Sequence, residues 1–242
     1  MGRHGRGAAP GLCAPRRGTD DDALERAVVD RIAFFLSLDD DLRPFYALAR
    51  DDPPFAPILE RLYGYHQVKF LTPFENACWA VLSTRTPMPA ARKLKDALTE
   101  RFGGSLIVDG TLHLAYPEPA RLAAVDPADL AATLGDGRKA RYLSGIARAF
   151  AGTDEGWLRS APYDEVEAWL RRLDGIGPWS SAFVLLRGLG RMERVPAEKR
   201  LLEAVAGVYG QGRTMTSRDV ERIAAHYGPW QGYWAHYLRA AS

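Results

Sequence analysis

Apolar residues recur along this chain at spacings of three and four, and strict two-residue alternation is scarce, so the dominant local structure is helical. Leu24 to Leu36 carries the helical period, Phe74 to Leu82 continues it, and Ala90 to Phe102 ends at Gly103-Gly104, where helix propensity collapses. Three further segments begin as helices do, with a capping residue or a first-turn proline followed by acidic side chains: Asp126-Pro127-Ala128-Asp129-Leu130, Ala161-Pro162-Tyr163-Asp164-Glu165-Val166 and Ser217-Arg218-Asp219-Val220. The one strand-like piece, Ser105 to Leu112, predicts a turn or a tiny hairpin. The pattern predicts an all-α protein, and no internal repeat breaks it.

The chain has 242 residues, enough for one or two domains with a substantial core. No apolar run reaches the length of a membrane span, and the Arg-rich start lacks the apolar segment of a secretory signal, so the expected setting is the cytoplasm. The two cysteines, Cys13 and Cys78, cannot build a disulfide framework and are too few for a four-cysteine iron–sulfur cluster. A net charge of +2 does not imply a general polyanion-binding surface, so any nucleic-acid contact must come from local charge and backbone amides. Residues 1–20, with Arg3, Arg6, Arg16 and Arg17 among Gly, Ala and Pro, read as a disordered basic tail, solvated rather than bound.

Gly175 and Gly177 bracket an apolar Ile176 between two helical patterns. Backbone there is free to turn just where the second helix offers unpaired N–H groups, which is a place for a phosphate. Read alone, the same residues are equally a helix C-terminus followed by Pro178 at the first position of the next helix.

The longer stretch does more. Leu173-Asp174-Gly175-Ile176-Gly177-Pro178-Trp179, followed by Pro196-Ala197-Glu198-Lys199-Arg200-Leu201, resembles the helix-hairpin-helix of the DNA glycosylase superfamily that includes 3-methyladenine glycosylase II and endonuclease III. The resemblance continues in order through Thr72-Pro73-Phe74-Glu75, Ala91-Arg92-Lys93-Leu94, Lys139-Ala140-Arg141-Tyr142-Leu143 and Tyr227-Gly228-Pro229-Trp230 to Leu238. It implies two helical lobes with a DNA-binding cleft: a central lobe over 72–172, and a second lobe joining 21–71 to 173–242 and containing the hairpin at about 165–190. It also implies that the amides of Gly175, Gly177 and Trp179, with Ser180 beside them, grip a DNA phosphate. The carbonyls of Arg171, Leu173 and Ile176 would hold a monovalent cation, Na+ or K+. No organic cofactor is implied, and with two cysteines this would be a compact form without the iron–sulfur cluster of some relatives.

Breaking an N-glycosidic bond builds positive charge on the sugar and requires the nucleotide to leave the stack, so the reaction needs a carboxylate near C1′. The family uses an Asp at the start of the helix after the hairpin, and the corresponding window here, Ala197-Glu198-Lys199-Arg200, has none. Anchoring on Pro196 and the apolar face Leu201, Leu202 and Val205 puts Glu198 at the catalytic position; counting strictly from Gly177 puts Lys199 there. Chemistry favours Glu198, because an ammonium opposes a cationic sugar. Lys199 would instead permit a lyase through a Schiff base, but the family's lyase lysine falls on Trp179 here, which favours hydrolysis alone.

Trp179 would form a wall of the base pocket or pack between the hairpin helices. Tyr142 is a pocket candidate on an apolar helix face that also suits the core, and His66 and Gln67 would either hydrogen-bond a base edge or lie on the surface. By position Arg85 would enter the gap left by the flipped nucleotide, or be an exposed residue at a helix end.

The resemblance thus implies a monofunctional base-excision glycosylase that flips an alkylated purine out of double-stranded DNA, acting as a monomer, nucleoid-associated and without a membrane. Hypoxanthine and uracil remain open as substrates. The competing reading is a lesion-binding protein of the same fold with little or no catalysis, or a lyase using Lys199.

Overall fold

Side-chain caps and first-turn prolines start most of the helices. The structure, a computed structural model, describes residues 19–242. The expected basic tail and Cys13 therefore lie outside the described residues, except that Thr19 and Asp20 already belong to the first helix. The N-terminal helices are α1 (Thr19–Leu36), α2 (Arg43–Arg50) and α3 (Ala56–Arg61), and they lead into α4 (Pro73–Ser83) and α5 (Met88–Phe102). Two strands, β1 (Gly104–Val108) and β2 (Thr111–Ala115), precede α6 (Pro119–Ala123), α7 (Pro127–Leu134), α8 (Gly137–Ala151) and α9 (Glu155–Ser160). The hairpin helices are α10 (Tyr163–Arg171) and α11 (Pro178–Gly188), and α12 (Lys199–Tyr209), α13 (Ser217–Ala224), a 3₁₀ segment (Ala225–Trp230) and α14 (Gln231–Ala241) close the chain.

Local chemistry explains these boundaries. Thr72 Oγ1 accepts the Glu75 amide to start α4, and Asp126, Asp136 and Asp154 cap α7, α8 and α9 through their carboxylates. Thr216 and Asp219 form a reciprocal capping box at α13. Helix α10 has no side-chain cap; Pro162 precedes it and Asp164 and Glu165 favour its positive N-terminal end. The strand-like piece does form an antiparallel hairpin, with Val108 opposite Thr111. Asp109 and Gly110 turn it with φ of 49° and 76°, both in the left-handed region that a two-residue hairpin turn requires.

Two apolar clusters fill the interior. The first gathers Phe74, Val81, Leu98, Leu122, Leu143 and Ile146 with Leu170, Ile176, Val184, Leu185 and Leu189. The second gathers Phe45 and Phe55 with Leu201, Val205, Tyr227, Tyr233, Trp234 and Tyr237. The hairpin buries Ile176 in the first cluster, and α11 supplies Leu186 to the second. Helix α11 is the seam.

Polar ties reinforce the seam. Lys69, buried at 4% exposure, sends Nζ to Ser37 Oγ at 2.7 Å and to Asp40 at 3.2 Å, while the Tyr233 hydroxyl donates to the other Asp40 oxygen at 2.5 Å. Helix α1 is held more by charge than by apolar burial. Arg31 pairs with Glu155 at 2.8 Å and the Arg159 guanidinium lies 3.6 Å over the Phe34 ring, whereas Leu24, Val28, Val29 and Ile32 stay exposed.

Candidate functional site

The hairpin between α10 and α11 turns on Gly175, whose φ is +88°. A methyl group there would come within 2.6 Å of the Tyr142 ring, so both backbone and packing demand glycine. Gly177 differs. It precedes α11 in an extended conformation, φ −88° and ψ −175°, and an added methyl would meet nothing within 4 Å. Ile176, 5% exposed, anchors the turn between them, and its amide donates to the Leu173 carbonyl at 3.0 Å. The amides of Gly175, Gly177 and Trp179 donate no backbone hydrogen bond among the described residues, as the start of a helix dictates. Three free donors beside a positive helix end suit an anion.

These residues rim a cavity of about 720 Å³. Its walls come from the end of α4 and the loop after it (Val81, Thr84, Arg85, Thr86), from the start of α8 (Asp136, Arg138, Lys139, Tyr142) and from Gly175 to Ser180. Most of the sequence-derived contact residues therefore meet here: Gly175, Ile176, Gly177, Trp179, Ser180, Arg85 and Tyr142. Arg85 is exposed, in the left-handed region at φ 53°, with no partner for its guanidinium among the described residues. Tyr142 does both of the things its position allowed, packing against the first core and lining the cavity. Asp136 is the acidic residue among the cavity's lining, and its carboxylate is engaged in capping α8 through the amides of Arg138 (2.9 Å) and Lys139 (3.0 Å).

Trp179 does not pack between the hairpin helices. It is 45% exposed and stacks on Phe183, one turn further along α11, with ring centres 5.1 Å apart and planes 8° from parallel. Phe70 meets Phe183 edge-on at 5.8 Å, and a turn beyond lies Arg187, which donates to the Val68 carbonyl at 2.8 Å. This face runs eight residues, about 12 Å at the helical rise.

The catalytic candidates lie outside the cavity. Glu198 is the residue before α12, half-buried, with Oε1 3.1 Å from Arg239 Nε of α14. Burial, then the Arg187 charge and the Arg239 charge, push the nearby His236 imidazole down to about 4. Burial likewise lowers the Arg239 and Arg187 guanidinium pKa values, with each arginine set close to further positive charge. Lys199 points into solvent, its side chain 89% exposed and 3.8 Å from Glu203. Around Pro196, Leu201 and Val205 face the core, Glu198 faces Arg239, and Lys199 faces water.

His66 and Gln67 are not among the residues lining the cavity either. His66 Nδ1 lies 2.6 Å from the Ser37 carbonyl, and Gln67 is 1% exposed with its carbonyl accepting from the Ser37 hydroxyl. Both hold the N-terminal segment against the second core. The carbonyls of Arg171, Leu173 and Ile176 lie at the end of α10 and in the turn, with the Leu173 oxygen already accepting the Ile176 amide. Sequence reasoning missed Phe183, whose signal is its four-residue spacing from Trp179, and Arg239, which lies forty-one residues from Glu198 and carries no local signal.

Residues 78–229 match the family model described as HhH-GPD superfamily base excision DNA repair protein. A Bacillus subtilis protein named DNA-3-methyladenine glycosylase is 30% identical over 214 residues, which are 87% of this chain and 71% of that protein. Among solved structures, the 3-methyladenine DNA glycosylase of Archaeoglobus fulgidus superposes with a TM-score of 0.77 at 21% identity, covering 90% of this chain and 75% of that one. The Schizosaccharomyces pombe 3-methyladenine DNA glycosylase in complex with abasic DNA superposes at 0.63 with 19% identity, covering 83% and 96%. Likeness at that identity establishes the helical fold.

Proposed function

Because the chain belongs to the HhH-GPD superfamily of base excision DNA repair proteins, we propose that it is a DNA N-glycosylase that flips an alkylated purine out of duplex DNA and hydrolyses its glycosidic bond. One observation carries this reading: the three hairpin amides and the Arg85 guanidinium, all without a partner among the described residues, converge with the exposed Trp179 on a single cavity. The amides of Gly175, Gly177 and Trp179 take a backbone phosphate, and the carbonyls of Arg171, Leu173 and Ile176 would hold Na+ or K+, whose charge would favour that phosphate. Arg85 enters the gap in the duplex, and Trp179 backed by Phe183 stacks on the flipped base.

In this reading Glu198 is the carboxylate that stabilises the cationic sugar, and Arg239 orients it. An arginine on that carboxylate offsets part of its charge. The chemistry then suits bases that are already positively charged and leave readily, as alkylated purines are. The exposure of Lys199 supports hydrolysis without strand cleavage.

The experiment is release of 3-methyladenine and 7-methylguanine from methylated duplex DNA by the wild type, Glu198→Gln, Asp136→Asn and Lys199→Ala. The expected result is release by wild type and Lys199→Ala and loss in Glu198→Gln. Binding of damaged duplex with no release by the wild type would reduce the protein to a lesion binder. Full activity in Glu198→Gln with loss in Asp136→Asn would transfer the catalytic role to the cavity's own carboxylate.

A further inference from the structure

Among the described residues, one side chain supplies the hydrogen bonds that tie the loop carrying Arg85 to another element. Its internal bonds are local: Thr84 Oγ1 donates to the Ala80 carbonyl at 2.7 Å, Ser83 Oγ to the Trp79 carbonyl at 2.7 Å, and the Thr86 amide to the Ser83 carbonyl at 3.3 Å. Among the described residues, the hydrogen bonds reaching residues 82–86 from another element come from Lys139 of α8. Its Nζ donates to the Leu82 carbonyl at 2.9 Å and to the Thr86 hydroxyl. Lys139 is fixed in turn by Asp136, which accepts its amide at 3.0 Å. The two loop acceptors flank Arg85, and Lys139, Thr86 and Arg85 all line the same cavity.

We propose that Lys139 is a positioning residue that holds Arg85 at the cavity mouth in its left-handed conformation. A non-glycine residue persists at φ 53° only where its surroundings over-determine it. Two charge-assisted bonds, one on each side of Arg85, supply that determination. The ammonium also sits at the negative C-terminal end of α4, where a cation is favoured. With two of its three donors used internally, Lys139 acts on the loop rather than on DNA phosphate. Without it, the backbone at Arg85 relaxes and the guanidinium no longer points into the space that the flipped nucleotide leaves.

The inference rests on the base-excision reading for its effect on catalysis, but the tie itself can be read without DNA. Lys139→Met is expected to speed hydrogen exchange of residues 83–88 in the free protein, Thr86→Val to do so less, and Lys139→Arg to restore protection. With damaged duplex carrying 2-aminopurine beside the lesion, Lys139→Met is expected to lose the flipping fluorescence and about tenfold in kcat/KM, mostly in kcat, with Lys139→Arg rescuing both. Unchanged exchange in Lys139→Met overturns the tie. An equal loss of affinity for damaged and undamaged duplex in Lys139→Met but not in Thr86→Val makes Lys139 a phosphate contact and overturns the proposal. If the wild type neither flips nor excises, the base-excision reading fails, while the exchange data still decide whether Lys139 holds the loop.

Discussion

The two glycines of the hairpin separate what the motif needs to fold from what it needs to bind. Gly175→Ala places a methyl on a backbone at φ +88°, 2.6 Å from Tyr142 Cδ2 and 2.9 Å from Cγ. A left-handed non-glycine residue costs on the order of 1–3 kcal/mol, and forcing a packed ring to move costs about 1–3 more. A loss of about 3 kcal/mol lowers the melting temperature of a domain this size by about 6–12 °C. Gly177→Ala meets nothing within 4 Å and keeps an ordinary φ, so its cost is confined to the N-cap preference, about 1 kcal/mol. Its methyl, however, occupies the surface where a phosphate would rest against the amides. The expected outcome is a strongly destabilised Gly175→Ala and a nearly native Gly177→Ala that binds duplex DNA about tenfold more weakly, a gap of about 1.4 kcal/mol. Thermal melts and fluorescence anisotropy at fixed salt would decide it. Native affinity in Gly177→Ala would refute the amide grip, and a native melt in Gly175→Ala would refute the packing argument.

Three further outcomes follow from the geometry. The folded protein holds the His236 pKa at about 4, below the 6.5 of the unfolded chain, so between those values the unfolded state binds more protons and stability falls as pH drops; unfolding free energies from urea titrations should fall by about 2.4 kcal/mol from pH 7 to 4.5, and His236→Phe should flatten that slope. Trp179→Ala removes a half-exposed ring stacked within its own helix, so the melt should change by about 1 kcal/mol while excision falls at least tenfold; a large stability loss with intact excision would reassign the tryptophan to packing. Asp136→Ala deletes the α8 cap and should cost about 1 kcal/mol, read as a melt lowered by about 2–4 °C.

Helix positions were legible because their causes are local. The Asp126 cap, the acidic first turn after Pro162 and the helical period over Phe74 to Leu82 all appear as written. Helix α1 begins five residues before Leu24, since its acidic start offers no apolar period to read. The binding half of the site was legible for the same reason: Gly175, Gly177 and Trp179 lie within five residues of one another. The reaction half was not. The setting of Glu198 is defined by Arg239 of α14, and such a contact across forty-one residues leaves no periodic trace. His66 and Gln67 misled because polar residues before a helix look like cleft lining, whereas Ser37, thirty residues away, absorbs them into the N-terminal packing.

A helix that contributes Val184 and Leu185 to one core and Leu186 to the other cannot act as a hinge between them. The walls of the cavity at Trp179, from α4, α8 and the hairpin, all pack on the first cluster, so they form one side of that seam. On the proposed base-excision reading, deformation falls to the other partner: the duplex bends and surrenders a nucleotide to that opening. Lesions that weaken pairing or stacking do this at least cost, so a stiff seam in the protein becomes a filter acting on the mechanics of DNA.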